Sequence, residues 1–262
     1  KWVQSAGSNK ALEGLDTNTI DFGSTAGLAA VLARANGKPL KAVYVCSRPG
    51  WTALMVPKDS PIKKIEDLKG KKIAATKGTD PYLFTLRSLS AKGLKKTDVD
   101  LQLIQHADGR KAMEEGKVDA WAGLDPLMAA SELDAGSRAL YRNVDFNTYC
   151  VINVTESFAQ KHGDAIKRVI QGYERARKWI TDNPDKAAQL LSEEAKISLP
   201  VAQKQMDRTD LVDPVIGSKQ ANAWKAAGSI LVEEELVKKG TDVNAVVDGL
   251  VEPKFVKEAL GK

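Results

Sequence analysis

The sequence has few of the residues that carry out most enzyme chemistry. Its 262 residues include only two cysteines and two histidines. A four-ligand zinc site would need all four of them, and their spacing along the chain does not support one. The GxSxG nucleophile elbow, the HExxH helix and the GxxxxGK[ST] phosphate loop do not occur. These absences argue against the common hydrolytic, zinc-dependent and nucleotide-dependent enzymes.

Long apolar runs and clusters of aromatic or basic residues are also missing. No segment approaches the roughly 20 consecutive apolar residues of a membrane-spanning helix. Aromatic residues make up 6% of the chain, and basic residues alternate with acidic ones, as in KKIEDLKGKK. The net charge of +5 favours solubility and weakly favours anionic partners, but it does not indicate nucleic acid. The chain starts in strand-like KWVQS without a signal peptide, which suggests that N-terminal residues precede it.

What is present is an alternation of strands and helices, followed by a mainly helical C-terminal part. This order predicts an α/β fold with a mostly parallel sheet. Predicted crossing strands at Trp51–Pro57 and Tyr149–Val154 divide the chain into two lobes. Residues 1–58 and 150–262 form lobe I, and residues 59–149 form lobe II. We expect a ligand in the cleft between the lobes, because such clefts are preferred binding sites.

Two strand–turn–helix joints have chemistry that suits an anion. In IDFGSTAG we predict a strand at Thr19–Phe22, a turn at Gly23–Thr25 and a helix from Ala26 to Ala35. In KGTDP, Thr79 and Asp80 precede a second helix, which Asp80 can cap. The first N–H groups of a helix lack internal partners and carry partial positive charge, so either joint could hold an anion. The alternative is that both joints are ordinary helix caps.

A third segment, VDAWAGLDP, carries two more candidate residues. Trp121 could form an apolar wall against a ligand, and Gly123 permits close approach. Asp125 could accept a hydrogen bond from a ligand, although capping the next helix is the role that we favour.

The cysteines and histidines leave several possibilities open. Cys46 and Cys150 lie in apolar strand-like runs and could be inert buried thiols, or a disulfide between adjacent strands in an oxidising compartment. His106 follows a predicted strand and could reach the cleft, whereas His162 precedes a glycine at a predicted helix end.

Four segments together resemble the substrate-binding proteins of ABC importers in the nitrate/sulfonate/bicarbonate group, which includes the aliphatic sulfonate and taurine binders. They are ALEGLDTNTIDFGSTAG, VYVCSRPGWTALMVPKDSPIKKIEDLKGKKIAATKGT, GKVDAWAGLDP and RTDL. The resemblance covers nearly the whole chain. It implies a two-lobe periplasmic binding protein of type II fold, with a hinge of crossing strands. Family members usually begin with an earlier strand, loop and helix that also line the cleft.

The resemblance also implies a function. The protein would capture a small anion and deliver it to a membrane permease of an ABC importer. The favoured ligand is an aliphatic sulfonate. It would be a monomer in the periplasm or anchored by lipid outside the cytoplasm, with no enzymatic activity, cofactor, metal or nucleic-acid partner. The expected ligand-binding residues are Gln4, Ser5, Ser24, Thr25, Thr79, Asp80, Trp121 and Asp125, with Arg48 and Arg208 as further candidates.

Other functions of the same scaffold remain open from the sequence. The ligand could be nitrate, bicarbonate, an aromatic acid or a pyrimidine precursor. An enzyme built on the two-lobe fold would need a His, Cys or Lys in the cleft, for which His106, Cys46 and Cys150 are the candidates. A ligand-free sensor or interaction module is the third possibility.

Overall fold

The chain forms two compact units, each assembled from separate stretches. The computed structural model describes residues 1–262. The first unit contains residues 1–48, 148–187 and 210–262, and the second contains residues 49–147 and 188–209. The predicted lobes differ from these units at three places: residues 49–58 and 188–209 lie in the second unit, and residues 148–149 lie in the first.

The regular elements alternate through the first 155 residues, and helices dominate the remainder. The strands are β1 (Gly23–Ala26), β2 (Leu40–Pro49), β3 (Thr52–Val56), β4 (Lys72–Ala75), β5 (Asp100–Leu103), β6 (Ala120–Leu124), β7 (Arg138–Tyr141), β8 (Cys150–Thr155) and β9 (Thr209–Asp210). The helices are α1 (Ser8–Asp16), α2 (Gly27–Ala35), α3 (Asp80–Ser90), α4 (His106–Glu114), α5 (Leu127–Asp134), α6 (Glu156–Lys161), α7 (Gly163–Asp182), α8 (Pro184–Ala195), α9 (Leu199–Asp207), α10 (Ser218–Ala227), α11 (Ser229–Glu233), α12 (Val243–Leu250) and α13 (Lys254–Leu260). Short 3₁₀ turns lie at Ile65–Leu68, Lys96–Asp98 and Val144–Phe146.

The sheet of the first unit is built around β8. Its strand order is β1-β8-β2-β9, and β8 runs antiparallel to both β1 and β2. The prediction of a mostly parallel sheet is therefore wrong for this unit, because the chain enters β8 from the opposite direction after the long excursion through residues 49–147. The strand-like segment KWVQS at the start of the chain has no regular structure.

The first strand lies four residues later than the sequence predicts. Residues 17–20 instead close the C-terminal end of α1, where Thr19 and Ile20 donate backbone hydrogen bonds to the carbonyl of Gly14. Asn18 adopts a left-handed conformation, with φ of 54°, in this turn. Residues 19 and 20, which were predicted as strand, thus belong to the end of α1. Strand β1 begins at Gly23 and runs directly into α2.

The second unit contains a mixed sheet with the order β5-β4-β6-β3-β7. Strand β4 is parallel to β5 and β6, whereas β3 is antiparallel to β6 and β7. The parallel strands β4, β5 and β6 lead into α3, α4 and α5. Three helix starts therefore follow the carboxyl ends of three neighbouring strands, the edge at which open α/β sheets commonly bind ligands.

Both faces of the second sheet are covered by apolar side chains. Leu54, Ile73 and Phe84 belong to one buried cluster, and Met55, Ala74 and Trp121 to another. Successive residues of β3 and β4 thus point to opposite faces, as the two-residue repeat of a strand requires. Helix α7 is the longest helix at 20 residues, and no helix of the protein is long and apolar enough to cross a membrane.

Candidate functional site

The start of α2, the first predicted anion site, is occupied by the protein itself. The Gly27 N–H donates to the carbonyls of Thr148 (3.2 Å) and Tyr149 (3.0 Å). The Leu28 N–H donates to Thr148 Oγ1 at 3.0 Å, and Trp224 Nε1 donates to the Thr148 carbonyl at 2.9 Å. The first two donors of the helix are satisfied in a buried setting. These two N–H groups are therefore not open to an anion, and a ligand at this helix start stays a prediction that would rest on Ser24.

Ser24 and Thr25 lie on strand β1 and not in a turn, and they face opposite ways. Thr25 is buried, donates to the carbonyl of Ala26 at 3.0 Å and accepts from Asn153 Nδ2 at 2.8 Å. Ser24 is exposed, and its hydroxyl lies 3.3 Å from the thiol of Cys150. Of the two predicted hydroxyl ligands, only Ser24 is accessible, because neighbouring residues of a strand alternate between its faces.

The open helix start in the first unit belongs to α1. Gly7 precedes it with φ of 150°, and its carbonyl accepts from Lys10 and Ala11. The N–H groups of Ser8 and Asn9 make no hydrogen bond within the protein. The Ser8 hydroxyl accepts from the Ala26 N–H at 3.1 Å, which fixes this helix start beside the junction of β1 and α2. Two backbone donors are thus available to a ligand.

The predicted loop residues Gln4 and Ser5 come just before this open helix start. Both are exposed, and Ser5 is held in a local turn in which its hydroxyl donates to the Gly7 carbonyl at 2.8 Å. Arg48, another candidate in the first unit, has its guanidinium 5.7 Å from the centre of the Tyr149 ring. Tyr149 is one of four non-glycine residues with positive φ, at 66°, where the chain re-enters the first unit.

In the second unit, Thr79 precedes α3 and makes no side-chain capping hydrogen bond, and Asp80 is the first residue of the helix. The Thr79 hydroxyl donates to the carbonyl of Thr76 at 2.6 Å, and Thr79 is almost wholly buried. The Asp80 carboxylate accepts from Trp51 Nε1 at 3.0 Å. This contact with the Trp51 indole is an interaction that the sequence did not predict.

Asp125 combines a cap with an ion pair. Its Oδ1 accepts from the Ala129 N–H at 2.9 Å, the capping role that the sequence favours, and from Arg208 Nη1 at 3.2 Å. Arg208 also pairs with Glu132. Burial raises the pKa of the Asp125 carboxyl, and the nearby Arg208 charge opposes that rise. Arg208 is therefore engaged by two carboxylates of its own unit, and this pairing weakens its candidacy as a ligand donor.

Trp51 connects the two predicted segments of the second unit, and sequence reasoning missed it. Its indole N–H binds Asp80, and its carbonyl accepts from the Asp125 N–H at 2.9 Å. Thr148 was missed in the first unit for the same reason. Each acts through contacts far away in sequence, so no local pattern indicates either residue.

Trp121 is a core residue and not a ligand wall. Its side chain is completely buried in the cluster with Met55, Ala74, Met113 and Met128. Its ring lies under Gly109 of α4, where an added Cβ would approach the indole to 2.8 Å. The ring serves as the surface on which α4 packs, which excludes it from direct ligand contact.

The two histidines have different surroundings. His106 is 3% exposed, and neither ring nitrogen has a hydrogen-bond partner. Burial lowers the pKa of His106 to about 4, so the ring is neutral at physiological pH. His162 lies at the end of α6, with its ring 4.7 Å from that of Phe158. Cys46 and Cys150 are free thiols.

Comparison with known proteins gives a consistent result along the chain. A curated Escherichia coli (strain K12) relative, the "Putative aliphatic sulfonates-binding protein", is 31% identical over 92% of this chain and 77% of its own length. The solved alkanesulfonate-binding protein SsuA from Xanthomonas axonopodis pv. citri, bound to MOPS, superposes with a TM-score of 0.87 at 25% identity, covering 96% of this chain and 87% of that one. The periplasmic aliphatic sulphonate binding protein SsuA from Escherichia coli superposes with a TM-score of 0.82 at 30% identity, covering 97% of this chain and 82% of that one.

The mixed α/β fold with two sheets is therefore the fold of periplasmic sulfonate-binding proteins, as the sequence predicted. The family model described as "NMT1/THI5 like" matches residues 1–187, which contain the β1–α2 junction, the whole β4–β6 sheet region and β8. The chain belongs to the NMT1/THI5-like family.

Proposed function

We propose that this protein is the extracytoplasmic substrate-binding component of an ABC importer and that its ligand is an aliphatic sulfonate. The observation that carries the proposal is the similarity of nearly the whole chain to sulfonate-binding proteins, in both sequence and fold. Its partners would be the sulfonate and a membrane permease, and it would act as a monomer that binds its ligand without chemical change.

The open donors of the first unit suit a sulfonate group. A sulfonate spreads one negative charge over three oxygens and stays ionised at any physiological pH. The N–H groups of Ser8 and Asn9 and the exposed Ser24 hydroxyl can each donate to one oxygen, and the dipole of α1 adds partial positive charge at its start. Gln4, which is exposed beside this helix start, is a further donor in this unit, whereas the Ser5 hydroxyl already donates to the Gly7 carbonyl. Uncharged donors allow release as well as capture.

The candidates in the second unit have a weaker case as sulfonate ligands. Asp80 and Asp125 carry carboxylates that repel an anion, and Thr79 donates its hydroxyl internally. Arg208 is balanced by Asp125 and Glu132. We therefore assign the sulfonate headgroup to the first unit. The sequence-based expectation that both units contact the ligand stays a prediction.

The test is isothermal titration calorimetry with ethanesulfonate, hexanesulfonate, nitrate, bicarbonate and benzoate, in phosphate buffer because buffers such as MOPS are themselves sulfonates. We expect saturable binding of at least one alkanesulfonate. At a hundred times its dissociation constant it should stabilise the fold by about 2.7 kcal/mol in a thermal melt. Binding of nitrate, bicarbonate or benzoate alone would replace the sulfonate with that ligand, and absence of binding to all of them would refute the proposal.

The site is tested in the same titration with Ser24→Ala. Loss of one hydrogen bond to a charged group costs roughly 1.5–3 kcal/mol, so affinity should fall by at least about tenfold. Ser218→Ala, another exposed serine of the first unit, is the control and should leave affinity unchanged. Equal sulfonate affinities for the two variants would show that Ser24 does not contact the ligand. The identity of the ligand, which the titration of the wild type tests, would not be affected.

A further inference from the structure

Cys46 and Cys150 lie on adjacent strands of the first unit, at an irregularity in their pairing. Val45 pairs with Val151 and Ser47 pairs with Cys150, so Cys46 is the extra residue of a bulge in β2. A side-chain hydrogen bond joins the thiols of Cys46 and Cys150. The two sulfurs are therefore in contact although the cysteines are about 100 residues apart in the sequence.

The surroundings make the two thiols chemically different. The pKa of the Cys150 thiol is lowered, first by its hydrogen bond with Cys46 and also by its hydrogen bond with Ser24. The pKa of the Cys46 thiol is raised well above its usual range by the hydrogen bond with Cys150 and by burial. Cys150 is thus the thiol that ionises first, which is the property of an attacking nucleophile.

Access to the pair comes from the same side as Ser24. Ser24 is exposed and Cys46 is partly exposed, whereas Cys150 is 8% exposed. Arg177 Nη1 donates to the carbonyl of Cys46 at 2.8 Å and holds the bulge in place. A small disulfide molecule can approach this face, and the bulge already directs the Cys46 side chain toward Cys150.

We propose that Cys46 and Cys150 form a dithiol–disulfide pair, which a small-molecule or protein disulfide oxidises by thiol–disulfide exchange. The Cys150 thiolate attacks one sulfur of the oxidant, forming a mixed disulfide and releasing one thiol. Cys46 then loses its proton and attacks the Cys150 sulfur, which forms the Cys46–Cys150 bond and releases the second thiol. The two cysteines lose two electrons to the oxidant, and the two protons end on the two released thiols.

The position of the pair gives the bond a consequence for the whole chain. The chain leaves the first unit after Arg48 and returns to it at Thr148. The disulfide would join the two strands that flank this excursion and would close a loop of about 100 residues, a length at which cross-linking strongly restricts the unfolded chain. The oxidised protein should therefore resist unfolding better than the reduced one.

The experiment is to incubate the purified protein with oxidised glutathione near pH 8 and to measure its intact mass, its free thiols and its thermal midpoint. We expect loss of two hydrogens, loss of both free thiols, a Cys46–Cys150 peptide in a digest and a midpoint rise of about 5–10 °C that dithiothreitol reverses. Cys46→Ser and Cys150→Ser are the controls, and each should show neither the mass loss nor the rise.

The same variants distinguish the alternatives. Cys46→Ser should accumulate a mixed disulfide with glutathione on Cys150, because the resolving thiol is missing. If the folded wild type keeps both thiols free under conditions that oxidise it in urea, the proposal is wrong. A wild type that stops at the mixed disulfide would contradict it equally, since Cys46 would then be unable to reach Cys150.

Discussion

Among single residues, His106 shows most directly how burial controls side-chain chemistry. His106 is the first residue of α4, shortly after β5, a position that made it a candidate catalytic residue in the sequence. Neither of its ring nitrogens has a hydrogen-bond partner. A buried imidazole without a partner is stable only in its neutral form, because desolvation penalises the charge. This explains why the pKa of His106 falls to about 4.

The low pKa predicts an acid-sensitive fold. The unfolded chain protonates His106 below about pH 6.5, whereas the folded protein does not until about pH 4. Stability from this residue is complete above pH 6.5 and falls with decreasing pH, by about 3 kcal/mol in total at pH 4. Urea unfolding of the wild type and of His106→Gln at pH 7.5, 6.0 and 5.0 measures it. The difference between them should shrink with acid, and parallel pH profiles would contradict the assignment.

Two glycines, Gly27 and Gly109, allow their helices to pack closely against a tryptophan. A Cβ at Gly27 would lie 2.2 Å from Trp224 Nε1 and 2.4 Å from the Thr148 carbonyl, and one at Gly109 would lie 2.8 Å from the Trp121 ring. Helices α2 and α4 therefore approach their tryptophans only because these residues lack a side chain. The indole, in each case, is a packing surface and not a ligand contact.

Among elements, the helix starts differ according to what the fold places in front of them. At the start of α2, Thr148 accepts hydrogen bonds from the N–H groups of Gly27 and Leu28. At the start of α1, the N–H groups of Ser8 and Asn9 have no acceptor within the protein. Sequence patterns mark both as helix starts. Which one can receive an anion depends on a segment that returns more than 100 residues later.

Thr148→Val tests the internal role of the α2 contact. Valine keeps the shape of threonine but removes the acceptor of the Leu28 N–H, which would be left buried and unsatisfied. We expect a loss of about 1–3 kcal/mol in the free energy of unfolding, measured by urea titration. Thr181→Val, which removes an exposed hydroxyl on α7, should change it by less than about 0.5 kcal/mol. If the two variants were equally stable, Thr148 would not satisfy α2 as described.

For the whole molecule, the candidate ligand residues are divided between two units. Ser5, Ser8 and Ser24 belong to the first unit, and Asp80, Asp125 and Arg208 belong to the second. The net charge of +5 favours encounter with an anion in general but does not choose between the units. Only a measurement that reports on each unit separately can make that choice.

Hydrogen exchange read by mass spectrometry provides such a measurement. With saturating alkanesulfonate we expect slower exchange in peptides that contain the start of α1 and β1, because the ligand would occupy the Ser8 and Asn9 N–H groups. Peptides of α12 and α13 serve as the internal reference. Additional protection at α3 or at the start of α5 would show that the second unit also contacts the ligand. Protection there alone would overturn the assignment of the headgroup to the first unit.

The sequence by itself determined the fold class, most elements and the family. The signals used were local: apolar periodicity, glycine and proline at helix ends, and the four segments that resemble the family. Local signals of this kind remain valid in the folded protein because they reflect the conformational preferences of the backbone. They identified α2, β3 and β8 to within a few residues, the existence of α3, and Asp125 as a cap.

Only the tertiary structure decided which of the predicted site residues are available. It buried Thr25, Thr79 and Trp121, paired Arg208 with Asp125 and Glu132, and closed the start of α2 with Thr148. It left Ser24 and the start of α1 open and brought Cys46 against Cys150. The physical reason is that burial and hydrogen-bond satisfaction depend on contacts between distant segments, which no local pattern of residues encodes.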